Sequence, residues 1–179
     1  MNKISIQTFK TPFGDLILGA FENQLCLCDW KYRKMRKSID ARIQAGLKSE
    51  FIEEDSPVFA QVIDQLQEYF EGKRKTFDLP LLTVGTPFQK QVWNALLHIP
   101  FGKTASYLEL SQQLGNPDAI RAVASANGAN AISIIIPCHR IIGSDGSLVG
   151  YAGGLEAKKK LLKLEGARAF QAQGQTSLF

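Results

Sequence analysis

The sequence predicts two small units in tandem: an N-terminal α/β unit on a small antiparallel sheet, and a mainly helical C-terminal unit containing a helix-turn-helix with a wing. Three observations carry this reading. Short runs of strand-forming residues, KISIQTF, DLILGAF and QLCLCDW, are separated by turn signals at residues 12–15 and at Glu22 and Asn23, which is the spacing of an antiparallel meander. KRKTFDLPLLTVG, residues 73–85, is charged, proline-containing and only partly periodic, and reads as a linker between a domain at 1–80 and one at 86–166. Beyond it, short helices are announced by capping residues.

Taken in order, the meander is followed by a basic stretch with Lys31, Arg33, Lys34, Arg36, Lys37, Arg42 and Lys48. It is helix or loop, and is expected to be a solvated face. Ser56 and Pro57 then open a helix whose apolar face is Val58, Phe59, Val62, Ile63, Leu66, Tyr69 and Phe70, and Gly72 closes it. That helix is expected to cover the sheet. Thr86, Pro87 and Gln89 combine an N-cap, a proline at the first helical position and a capping-box glutamine, with Phe88, Val92, Trp93, Leu96 and Leu97 on one face. Ser106 with Glu109 makes a second capping box for a helix that runs to Gly115, and Asn116 and Pro117 start the next.

Two short helices joined at Gly115 and Asn116 resemble a helix-turn-helix. The second, PDAIRAVASAN, carries Ala119, Ala122, Ala124, Ser125 and Ala126 around one long cation, Arg121. A helix reading major-groove edges needs several long polar side chains. Small side chains instead suit close approach in the minor groove, although composition alone serves an alanine-rich packing helix equally well. Residues 143–146 read as a turn between short strands of a wing, GYAGG at residues 150–154 as a flexible loop, and residues 155–165 as a helix capped by Gly166. Residues 167–179 are expected to be a flexible tail.

With 179 residues and 45% hydrophobic content the chain can bury a sizeable core. A net charge of +4 permits nucleic-acid contact without requiring it. The N-terminus lacks the apolar region of a signal peptide, and no apolar run approaches the roughly 20 residues that span a bilayer. Three cysteines do not make a disulfide framework, so the chain is expected to be cytoplasmic, with no membrane partner. Cys26 and Cys28 have poor zinc spacing and read as core; neither a metal nor a cofactor is expected.

IIIPCHRIIG, residues 134–143, interrupts an apolar, strand-like run with Cys138, His139 and Arg140. Pro137 bends the chain just before the thiol. In an extended segment His139 points away from Cys138, so pairing needs a turn at Pro137 or a relay through water. From these residues alone, a structural cysteine and a nucleophile both stay open.

The ordered set PCHR at 137–140, RAV at 121–123, Asn130, SY at 106–107, GYAGG at 150–154 and LEG at 164–166 closely resembles the active-site domain of the alkylguanine-DNA alkyltransferases, the methylated-DNA-protein-cysteine methyltransferases. The resemblance implies a ribonuclease-H-like N-terminal unit, a winged helix-turn-helix C-terminal unit and the constitutive, single-function type. It implies irreversible, stoichiometric transfer of an alkyl group from the position-6 oxygen of guanine, and the position-4 oxygen of thymine, to Cys138. His139, through a water, and Glu165 would keep the thiol ionised. Tyr107 would hydrogen-bond the extruded base and help it gain a proton, Arg121 would replace it in the stack, and Asn130 would brace the turn before the cysteine. The backbones of Cys138, Ile141 and Ala152 would read the guanine edge, with Tyr151 and Gly153 in the pocket wall.

Three positions depart from the family pattern: Ala124 where glycine is common, Ala131 where proline follows the asparagine, and Ser133 where some members have proline. They bear on DNA approach, on the loop holding Asn130 and on alkyl size. A rival reading is an alkyltransferase-like protein that binds the lesion without catalysis and recruits other factors; those proteins lack the cysteine. A Cys-His hydrolase would need an oxyanion hole that nothing else in the chain argues for. The expected partner is double-stranded DNA, bound by a monomer through its minor groove. The tail Gln175, Thr176, Ser177, Leu178 and Phe179 resembles the peptide by which bacterial repair proteins bind the sliding clamp, with Gln175, Leu178 and Phe179 as anchors.

Overall fold

Turn chemistry sets the register of the first sheet. The computed structural model describes residues 2–167, so Gln175, Leu178 and Phe179 lie outside the described residues. The chain divides after Thr86 into two units. In the first, β1 (Lys3–Thr11), β2 (Gly14–Phe21) and β3 (Gln24–Trp30) form the antiparallel meander. Glu22 and Asn23 take φ of 48° and 62°, giving a two-residue turn whose twist matches the flanking strands. Helix α1 (Arg36–Leu47) follows, and β4 (Glu50–Glu53) returns parallel to β1, making the order β3-β2-β1-β4. β4 is four residues with two charged ends, too short for its pattern to announce it. Helix α2 (Pro57–Phe70) packs on β2 and buries Val58, Phe59, Val62, Leu66 and Tyr69, while Ser56 makes no side-chain cap.

The stretch at residues 73–85 is not a loose linker. Gln65 on α2 takes both backbone groups of Asp78, at 3.0 Å to its carbonyl and 2.9 Å from its N–H. Leu25 of β3 bonds Pro80 O at 2.8 Å and receives Leu82 N–H at 2.9 Å. An open strand edge leaves backbone groups unpaired, and this segment satisfies them.

The second unit starts with α3 (Pro87–Leu96), which buries Val92, Trp93 and Leu96. Leu97, expected on that face, is exposed because the helix ends one residue before it. A short strand β5 (Ala105–Ser106) leads into α4 (Tyr107–Gln113) through the expected capping box: Ser106 Oγ accepts Glu109 N–H at 3.0 Å, and Glu109 accepts Ser106 N–H at 3.3 Å. Gly115, at φ 74°, then supplies the left-handed residue that lets its own N–H and that of Asn116 close on the last carbonyls of α4. A 3₁₀ turn, Pro117–Ala119, enters α5 (Ile120–Gly128), completing the helix-turn-helix. Trp93 Nε1 donates to Ala126 O at 2.8 Å and ties α3 to the end of α5.

The expected wing is reduced to a turn. β6 (Ile141–Ile142) pairs parallel with β5, no strand is described after residue 146 to pair with it, and the loop is closed by Gly143 N–H to Ser147 O and Gly146 N–H to Gly143 O, both at 2.9 Å, and by Ser147 N–H to Asp145 Oδ1 at 3.0 Å. Helix α6 (Leu155–Leu164) ends the described fold. No helix among the described residues is long and apolar enough to cross a membrane.

The basic stretch is solvated only in part. Lys34, Lys37 and Lys48 are exposed, but Arg33 and Arg36 turn inward onto Asp29 Oδ2 at 2.9 and 3.0 Å, where Asp29 is fully buried. Asp29 Oδ1 accepts Trp30 N–H at 2.9 Å, and Arg36 also pairs with Asp40 at 2.8 Å. A buried carboxylate needs such partners, and removing it leaves two guanidinium groups without their shared anion. Asp29→Ala is therefore expected to cost about 3–5 kcal/mol of stability, read by urea unfolding. A loss below about 1 kcal/mol would place this cluster with surface ion pairs.

Candidate active site

The segment before the cysteine is buried throughout, from Ala129 to Pro137, yet it is not a strand. Its backbone is wound by turns. Ile134 has φ 71°, and Ile135 N–H bonds Ser133 O across it at 2.8 Å, the strained form of the γ-turn and a rare conformation for a β-branched residue. Pro137, at φ −82° and ψ 62°, sits in the relaxed inverse form, with Cys138 N–H on Ile136 O at 2.8 Å. Asn130 substitutes for a ladder: its Nδ2 donates to Ile136 O at 2.9 Å and to Ile132 O at 3.4 Å, and its Oδ1 accepts Ile132 N–H at 3.0 Å. These bonds hold with alanine rather than proline at position 131.

Cys138–Arg140 then forms a 3₁₀ turn, so the extended geometry that separates Cys138 from His139 does not arise. His139 Nε2 lies 2.8 Å from Glu165 Oε2. Arg140 grips the same carboxylate twice, Nε to Oε1 at 2.8 Å and Nη2 to Oε2 at 3.1 Å, and donates from Nη1 to Ile99 O at 2.6 Å. Glu165 caps α6. Gly166 and Ala167 close on Lys163 O and Leu162 O at 3.1 Å, with Gly166 at φ 67°, and this closing turn fixes the carboxylate beneath His139.

Burial pushes the Glu165 carboxyl up, but the His139 and Arg140 contacts outweigh it and hold it well below the usual range. Burial, the main influence on His139, lowers its basicity and keeps the imidazole neutral near pH 7. An ionised carboxylate only accepts, so the imidazole proton sits on Nε2 and Nδ1 carries the lone pair. That Nδ1 is buried with no hydrogen-bond partner in the protein.

Lys158 joins the site without belonging to any of the sequence motifs. It is fully buried, and its Nζ donates to Val149 O at 2.6 Å and Gly150 O at 3.3 Å. Burial lowers its pKa to about 8, while the nearby Cys138 sulfur raises it. Tyr107, at the start of α4, stays a phenol: burial and Cys138 raise its pKa against a hydrogen bond from Asn127. Tyr151 turns a ring edge to His139, 6.3 Å between centroids, and Ala152 and Gly153 follow it, half-buried. Ile141 is buried, and its N–H donates to Cys138 O. Arg121 is exposed on α5 together with Ala122, Ser125 and Gly128. Nothing lies within 4 Å of where a Cβ on Gly128 would sit, so packing within the protein does not demand its smallness. Cys26 and Cys28 are buried in β3; burial pushes Cys26 up to about 12 and, with Asp29, raises Cys28 further.

Residues 87–167 match the DNA binding domain of 6-O-methylguanine DNA methyltransferase, and residues 4–83 match the ribonuclease-like domain of the same proteins. The chain belongs to this methyltransferase family. A methylated-DNA–protein-cysteine methyltransferase of Mycobacterium bovis is 52% identical over 93% of this chain and 94% of its own length. The constitutive methyltransferase of Bacillus subtilis is 40% identical over 88% of this chain and 93% of its own length. The crystal structure of Mycobacterium tuberculosis OGT in complex with DNA superimposes with a TM-score of 0.78 at 40% identity, covering 92% of this chain and 94% of that one.

Within this methyltransferase fold the sequence motifs converge on one place: Cys138, His139, Glu165, Asn130, Tyr107 and Tyr151 surround a single buried turn. Arg140 lies within the PCHR motif but carries no role there, and Lys158 and Asn127 escape a motif-based reading. For Lys158 a signal exists. Ala157, Leu161, Leu162 and Glu165 are buried along one stripe of α6, and Lys158 falls on that stripe rather than on the charged side.

Lys158 yields a pH test. Its folded pKa near 8 lies below the roughly 10.4 of an unfolded lysine, so between those values the unfolded chain holds a proton that the folded chain has lost. Stability therefore rises with pH across that window. Wild type should gain on the order of 3 kcal/mol relative to Lys158→Met between pH of about 8 and 10.5, measured by urea unfolding. A pH-independent difference would exclude a buried ammonium there.

Proposed function

We propose that the chain repairs alkylated DNA by direct reversal, moving the alkyl group from the position-6 oxygen of guanine to Cys138. The observation that carries the reading is the line from the thiol turn through neutral His139 to the ionised Glu165, with the basic Nδ1 turned away from the carboxylate. Through one water, Nδ1 takes the Cys138 proton. The thiolate attacks the alkyl carbon, a C–S bond forms as the C–O bond breaks, and the guanine leaves with that electron pair. Tyr107, kept as a phenol, supplies the leaving base with a proton. A thioether has no hydrolytic way back, so each chain reacts once.

The lesion must first leave the stack. The exposed face of α5 holds Ala122, Ser125 and Gly128 around Arg121, a surface that suits the narrow minor groove, with Arg121 filling the vacated position. Backbone groups of Cys138, Ile141 and Ala152 would read the extruded guanine, and Tyr151 and Gly153 would flank it. Lys158 holds the Val149 and Gly150 carbonyls where this wall begins, its charge facing the sulfur that must ionise. The protein acts as a cytoplasmic monomer in this reading. The position-4 oxygen of thymine is a second substrate of the same chemistry. The presence of Cys138 speaks against a lesion binder that only recruits other factors.

A duplex carrying one labelled O-methyl lesion tests this directly. Label should appear on the Cys138 peptide, one group per chain, and Cys138→Ala should bind the duplex while transferring nothing. Arg121→Ala should slow transfer from duplex much more than from free alkylguanine, because only the duplex requires extrusion, which costs a few kcal/mol. Label on Cys26 or Cys28, or transfer by Cys138→Ala, would reject the assignment.

The tail adds a partner. Gln175, Leu178 and Phe179 suit an apolar pocket with a hydrogen-bonding rim, as on a sliding clamp, although Thr176 stands where leucine is usual. Calorimetry with the whole chain should detect clamp binding that is lost on truncation after Gly174. Equal affinities of the two forms would dismiss it.

A further inference from the structure

The first unit carries a surface that the alkyl-transfer chemistry does not use. Between residues 31 and 48 seven of eighteen residues are Lys or Arg, and only Asp40 is acidic. Arg33 and Arg36 are committed inward to Asp29 and Asp40. What remains outward is the turn before α1 together with Lys37 in its first helical turn, and, at the far end of the helix, Lys48. Tyr32 is 80% exposed, Met35 is 50% exposed, and Lys34 and Lys37 stand in solvent. Lys31 places its Nζ 5.6 Å from the Tyr32 ring centroid.

This turn is rigidly mounted. Lys31 N–H bonds Asp15 O at 2.9 Å, Arg36 N–H bonds Arg33 O at 3.2 Å, and the two inward arginines close on one buried carboxylate. A segment anchored this firmly while presenting an aromatic ring, a thioether and three ammonium groups is preorganised for contact. Its chemistry selects the partner: cations with no carboxylate among residues 31–39, interleaved with flat apolar surface, complement phosphates and the sugar edges between them.

We propose that Lys31, Tyr32, Lys34, Met35 and Lys37 form a second DNA contact, on the unit that holds no alkyl acceptor. The lysines neutralise phosphates and Tyr32 lies against the strand between them. The inference rests on the DNA-repair reading, and the experiment separates the two. Lys31, Lys34 and Lys37 are changed together to Gln, and equilibrium binding to undamaged duplex is measured from about 50 to 200 mM salt. Each lost phosphate contact removes about 0.9 from the slope of log K against log salt, so the slope should flatten by about 1 to 3. Tyr32→Ala should weaken binding severalfold with the slope unchanged. Both variants should accept alkyl groups from free alkylguanine at the wild-type rate, because the buried turn at Cys138 is untouched.

Wild-type slope and affinity in the triple variant would overturn the proposal and leave the patch to a protein partner. A flattened slope together with slowed free-base reaction would overturn it as well, since that marks general damage. Failure of wild type to bind duplex at all would remove the repair reading itself, and this inference with it.

Discussion

The carboxylate of Glu165 is the constraint on which the reactive turn depends. An ionised carboxylate stripped of water is costly unless its oxygens are taken by donors, and here the guanidinium of Arg140 and the imidazole of His139 take them. Those two donors follow Cys138 directly in the chain. Satisfying the charge therefore also dictates the path of the backbone that presents the sulfur. The same carboxylate chooses the imidazole tautomer, so orientation and protonation have one origin. Whatever net stability this pairing contributes, its larger effect is to leave the turn one geometry.

A second constraint acts from the other side of the sulfur. The positive φ at Ile134 opposes the preference of a β-branched residue, and strain of this kind persists only where the surroundings over-determine it. Asn130 supplies that determination. One amide side chain stands in for the neighbouring strand this apolar segment lacks, and both its ends are used. The thiol is thus held between a side chain acting as backbone on one flank and a buried ion pair on the other.

The legible parts of this fold are those with local causes. The hairpin at Glu22 and Asn23, the capping box at Ser106 and the closing glycines all follow from chemistry within a few residues, and the sequence announces each. The run at Ile134, Ile135 and Ile136 misleads because three β-branched residues state a strand preference that Asn130, four to six residues away, overrides. Arg33 and Arg36 mislead in the opposite sense, since a basic run reads as solvated until Asp29 is known to lie beneath it. β4 is too brief to register, and residues 73–85 look loose because the strand edge they complete belongs to Leu25, far back in the chain. The residues gathered around the Cys138 turn are recognisable as a set of motifs, while Lys158 needs the helix stripe to be drawn before its position becomes informative.

The two thiols of β3 bear on how the protein behaves in numbers. Burial keeps Cys26 and Cys28 protonated, which, in the single-use transfer proposed above, leaves Cys138 as the one accepting sulfur of each chain. A population of such chains then works as a reservoir rather than as a flow: it empties one molecule per lesion, and bound alkyl groups are a head count of the molecules spent. Below that number, damage is erased however slowly it is found. Above it, tolerance is set by how quickly ribosomes replace the chains already used.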